Sequence, residues 1–142
     1  MKSGAQNMNS TRGATSVTLF ALAALHVMWA LGSSFPFRSR DELADSVVGR
    51  DDVPSFAACI GVASAIVVAA VLVAGAVPIP ARIRSFALRS IAAILATRGV
   101  AGALGRTSLL SPGSESPVFK RLDKRIYAPL CLWLAQGVRR SI

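Results

Sequence analysis

Histidine and tyrosine occur once each in this chain, as His26 and Tyr127, and cysteine twice, as Cys59 and Cys131. Two cysteines are too few for a disulfide scaffold or a four-ligand zinc centre, and without a C-x-x-C pair a redox role has no support. A single histidine makes no metal or haem site without further ligands. The sequence holds no H-E-x-x-H, G-x-S-x-G or P-loop, so no catalytic residue, metal or cofactor is expected. Charge is scarce too. Only 16% of the 142 residues are charged, against roughly 25% in soluble domains, and only seven of those are acidic.

What is present is apolar and continuous. Residues 15–32 and 55–77 carry no formal charge. Such runs approach or exceed the roughly 20 residues that a helix needs to cross a bilayer. A third run, 85–105, contains Arg89 near its start and Arg98 well inside it. A fourth, 126–138, covers only about 20 Å at 1.5 Å per residue. It spans only if the basic stretch 120–125 continues the helix outward or the bilayer thins. Pro129 fits the first turn of a helix beginning near Tyr127. A cleaved secretory signal is the rival reading of the first run, but its length and its His26 and Trp29 argue against it. The expected fold is an all-α, integral membrane four-helix bundle forming one domain.

The loops divide by charge. Residues 33–54 hold Asp41, Glu42, Asp45, Asp51 and Asp52. Within them Ser39 is placed to cap a short amphipathic helix, with acids in its first turn and Gly49 as its stop. Residues 106–125 are basic, so the two loops, which share a membrane face, are expected to pair. The net charge of +9 flanks the apolar runs, which favours anionic lipid headgroups over nucleic acid as its partner. The bases divide almost evenly between the two faces, so the positive-inside rule assigns no orientation.

Successive spans alternate in direction, so depth can be counted from one face. From the face reached at the end of the first span, His26, Cys59, Arg98 and Cys131 fall about 6–10 Å deep. Trp29 and Tyr127 lie nearer the surface, where aromatic anchors sit. Ionisable groups within a bilayer are costly and face the bundle interior or a water-filled cavity. These six residues, His26, Arg98, Tyr127, Cys131, Cys59 and Trp29, are therefore the candidate pocket. The blander reading has His26 bonding a neighbouring helix, Arg98 binding a lipid phosphate and the cysteines packing as small hydrophobes. Gly99, Gly102 and Gly105 recur every three residues, which suits close helix packing.

The run His26-Val27-Met28-Trp29-Ala30-Leu31-Gly32 is followed by Pro36, by Val48-Gly49 and by Arg98-Gly99 with Gly102. Phe119 and Arg125-Ile126-Tyr127-Ala128-Pro129-Leu130-Cys131-Leu132 complete the series. In this order, over about residues 17–136, the chain resembles a family of small bacterial four-span membrane proteins known only as a domain of unknown function. Ala128 stands where that pattern expects serine. The resemblance implies four membrane helices and assigns no activity.

Thirteen of the sixteen basic residues are arginine, and alanine and valine abound, a composition that suggests a GC-rich bacterial genome. The expectation is a multi-pass protein of the bacterial plasma membrane, with the lipid bilayer and other membrane proteins as partners. Its leading function is a non-catalytic accessory or lipid-contacting subunit. The alternative is a small membrane enzyme or carrier for a lipid, quinone or other amphipathic molecule. In that reading His26 exchanges protons and Arg98 holds an anionic headgroup.

Overall fold

A computed structural model describes residues 2–142, with side-chain surroundings from residue 6 onward. The described residues are helical, with no strand. The first helix is α1 (Lys2–Ala30). Next comes α2 (Arg40–Leu43), which runs on into a π turn (Ala44–Val48). Then follow α3 (Phe56–Ala74), α4 (Ala81–Ala103) and a 3-10 turn (Thr107–Leu109). Last come α5 (Pro117–Leu122), a second π turn (Asp123–Tyr127) and α6 (Ala128–Arg139).

The boundaries follow local chemistry. The Ser39 hydroxyl accepts from the Glu42 N–H (3.1 Å) and starts α2. Gly49, at φ 75°, ends the π turn after it in the left-handed region that glycine occupies without strain. Ser55 caps α3 through the Ala58 N–H (3.2 Å). The short helix expected in the first loop is therefore present, with its cap and its stop as read.

Two boundaries differ from expectation. α1 extends far ahead of residue 15, through a polar stretch that contains no proline. The helical backbone that leads into the last run begins at Pro117, well ahead of residue 126, and continues unbroken to Arg139. Within it α6 begins at Ala128, with Pro129 in its first turn as expected. A proline ring crowds the carbonyl four residues earlier and leaves it without a donor. Here that carbonyl belongs to Arg125, within the wider π turn, and the Ala128 N–H reaches back to the Asp123 carbonyl.

Gln6–Ala30, Phe56–Ala74 and Ala81–Ala103 are long and apolar enough to cross a membrane. α6 alone has twelve residues, short of the roughly 20 a span needs. Together with α5 and the π turn its stretch reaches about 34 Å at 1.5 Å per residue. The added part, however, carries Lys120, Arg121, Asp123, Lys124 and Arg125.

α1 packs along α3 and α4 along α6, and contacts of α1 with α6 and of α3 with α4 join the two pairs. One end is solid: Leu19, Ala70, Val73, Leu88, Leu134 and Val138 form its core. The Ser16 hydroxyl, buried between α1 and α3, donates to the Ala70 carbonyl (3.1 Å). Arg12 and Arg84 donate to the Val73 and Leu72 carbonyls at the end of α3. There the helix dipole favours positive charge and the last carbonyls lack intrahelical donors. Val17, Phe86 and Ile94 stand at 68%, 74% and 68% exposure on the outer surface, where water would be a poor neighbour for them.

α6 meets α1 at Gly137, where an added Cβ would fall on the Thr15 hydroxyl and within 3.0 Å of Thr15 Cγ2. Gly137→Ala is expected to lower stability in detergent by about 2 kcal/mol, the ordinary cost of overpacking. Adding Thr15→Ala removes the two nearest atoms and should restore at least half. Denaturation curves of the three proteins check this, and an unrescued double variant would refute the contact.

Candidate functional site

The opposite end of the bundle is hollow. A cavity of about 240 Å³ lies where the end of α1, the start of α3 and the end of α4 meet the two loops. Its apolar walls include Leu43, Val47, Val53, Val62 and Phe119. Four of the six residues expected to share a layer, His26, Trp29, Cys59 and Arg98, line it. Tyr127 and Cys131 do not.

His26 is half-buried on α1, and its Nδ1–H donates to the Leu22 carbonyl one turn earlier (2.8 Å). Its ring lies 4.9 Å from that of Trp29, tilted by 57°. The Trp29 indole N–H donates to the Phe35 carbonyl (2.7 Å). Arg40 donates to the Trp29 carbonyl (3.2 Å) and the Ser33 carbonyl (3.3 Å), tying the acidic loop to the end of α1. Cys59 is buried and its thiol, like that of Cys131, is free.

Arg98 has a partner that the sequence reading overlooked. Its Nη2 donates to Asp123 Oδ1 at 2.7 Å, with side-chain exposures of 28% and 2%. The Thr107 hydroxyl donates to the other carboxylate oxygen, Oδ2. Gly102 makes room for this group. A Cβ there would lie 2.8 Å from Arg98 Nη1, 2.9 Å from Asp123 Oδ1 and 2.8 Å from Ala128 Cβ. Gly99 admits Leu132 in the same way. These contacts support reading both glycines as packing positions.

Asp123 stands as a lone acid within "KRLDKR", a run that composition marks as basic. Helical continuation was the available signal. If residues 120–125 extend the last helix, Asp123, Tyr127 and Cys131 fall on one face, four residues apart. Tyr127 uses that face differently, its hydroxyl donating to the Ser46 carbonyl (3.1 Å). Cys131 lies one turn farther along α6.

The acidic and basic loops do meet, though through no ion pair between them among the described residues. The N–H groups of Glu115 and Ser116 donate to the Gly49 carbonyl (3.0 and 3.2 Å). The Ser114 hydroxyl donates to Val48 (2.7 Å), and Arg50 donates to the Pro112 carbonyl. Phe119, 2% exposed, packs against Gly49, where a Cβ would be 2.8 Å from its ring. The two ion pairs among the described residues are Arg98–Asp123 and, within one loop, Lys120–Glu115. Asp41, Glu42, Asp51 and Asp52 stay exposed. Docking through backbone groups holds the loops together without desolvating those charges, the larger cost.

A profile for a family described as protein of unknown function (DUF3995) matches residues 19–138. No curated protein and no solved structure matches the chain.

Proposed function

The chain belongs to this family of unknown function, and from that footing we propose that it is a multi-pass protein of the bacterial plasma membrane that binds an amphipathic molecule in its hollow end. The cavity carries this reading: apolar walls with a few polar groups, roofed by two docked loops. That combination is what small-molecule sites use, apolar surface for affinity and sparse polar groups for orientation. At about 240 Å³ it is smaller than the roughly 300–1,000 Å³ of sites that enclose a whole drug-sized ligand. It takes a headgroup and the first carbons, and the tail runs out into lipid. The stretch from Pro117 to Arg139 serves as the fourth span, with its charged first half at the headgroups. The apolar faces of α3 and α4 meet acyl chains, the lipid-contacting role expected from the sequence.

The test is chemical. Protein purified in mild detergent is extracted, and bound amphipaths are quantified by mass spectrometry against protein. Ala58 lines the cavity, so Ala58→Phe should lower the amount of bound molecule about tenfold, the effect of roughly 1.4 kcal/mol. Val68→Phe, on an exposed part of α3 outside the cavity, should leave it unchanged. Equal yields from both variants would overturn the reading.

A further inference from the structure

We infer that the cavity's ligand is a neutral amphipath with a hydroxyl headgroup, which donates to His26 Nε2 and accepts from Arg98. This rests on the binding role proposed above and names its ligand class.

The histidine supplies the first half. A carbonyl oxygen only accepts, so the 2.8 Å contact with Leu22 requires the proton on Nδ1. In the neutral ring Nε2 is then an acceptor, presented by a side chain that borders the cavity. Nε2 has no hydrogen-bond partner among the described residues and is not one of the sealed, unpartnered buried atoms. An oxygen with only lone pairs meets that nitrogen as acceptor against acceptor. A hydroxyl brings the missing hydrogen.

The arginine supplies the second half. Its charge is matched by Asp123, held on both carboxylate oxygens and 2% exposed in its side chain. A phosphate or carboxylate headgroup placed beside Arg98 adds a second negative charge near a buried first one, a costly arrangement away from water. A neutral oxygen avoids that cost and still accepts from a guanidinium N–H. Nη1 is sealed against Gly102, so the donors left for a ligand are Nε–H and the second hydrogen on Nη2. A hydroxyl is donor and acceptor in one group, and both side chains border the same cavity. The anion-holding role first expected of Arg98 is thereby replaced by a neutral one.

Three probes sharing one tail separate the possibilities: farnesol, farnesyl methyl ether and farnesyl phosphate. The protein is reconstituted in nanodiscs of phosphatidylcholine with Trp133→Phe, which leaves Trp29, a cavity residue, as its one tryptophan. Tryptophan emission is followed against probe concentration. Farnesol is expected to bind about tenfold more tightly than either of the others. His26→Phe should abolish its advantage over the ether. Equal binding of the three, or tightest binding of the phosphate, overturns the hydroxyl assignment while leaving an amphipath site standing. Binding of none of the probes overturns the cavity reading itself, and the assignment with it.

Discussion

Asp123→Leu is expected to lower stability by about 3 kcal/mol, the low end of the range for stranding one partner of a buried ion pair. The low end applies because Arg98 is only partly buried, its side chain 28% exposed against 2% for Asp123. The aspartate is the costlier residue to lose. Its removal strands the guanidinium and also leaves the buried Thr107 hydroxyl without an acceptor. The double variant Arg98→Met with Asp123→Leu removes both charges at similar volume and should recover most of the loss. Unfolding in mixed micelles of rising dodecyl sulfate content, run as a double-mutant cycle, gives the coupling energy directly. Additive losses would show that the two side chains are not coupled.

Gly102 should show an effect nearly as large, matching that of Gly137. An alanine there meets Ala128 Cβ, Arg98 Nη1 and Asp123 Oδ1 within 2.9 Å, and neither the helix contact nor the ion pair has slack to give. Gly102→Ala should cost about 2 kcal/mol as overpacking. Gly61, also within a helix, has nothing within 4 Å of its would-be Cβ. Gly61→Ala should therefore stabilise the protein, by about 0.5–1 kcal/mol of backbone entropy and helix propensity. The two variants, compared by the same micelle titration, should move in opposite directions. A stabilised Gly102→Ala would show that α4 and α6 sit farther apart.

Element positions were readable because apolar length and capping chemistry are local. Residues 55–77 announce a helix by their length alone, and Ser39 and Gly49 mark the ends of the loop helix. That His26, Cys59 and Arg98 lie at one end of the bundle was readable for the same reason, since each residue advances a helix by about 1.5 Å, and the three line one cavity. Azimuth was not readable. Each residue also turns the helix by about 100°, so two groups at equal depth face each other only if their helices are rotated to suit. α3 is apolar nearly all round, and the polar residues of α1 and α4 are not sorted onto one face, which leaves that rotation unmarked in sequence. Cys131, counted to the same layer, therefore does not line the cavity. Asp123 was hidden by composition: four neighbouring Lys and Arg make its segment a basic run, and only the continuous helix from Pro117 turns it inward.

The π turn at Asp123–Tyr127 also bears on how the length of this chain can vary. A π turn holds one more residue than the α-helical path it replaces, so the segment amounts to a single-residue insertion kept in place. Deleting one residue there would restore a regular helix and ease the hydrogen-bond ladder. It would also rotate everything ahead of it by about 100° and shift it by 1.5 Å relative to α6. Asp123 would swing away from Arg98, and Phe119 would leave Gly49. Chain length in this segment is therefore constrained more tightly than side-chain identity: most substitutions along its outer face are tolerable, whereas a one-codon deletion dismantles the roof of the cavity.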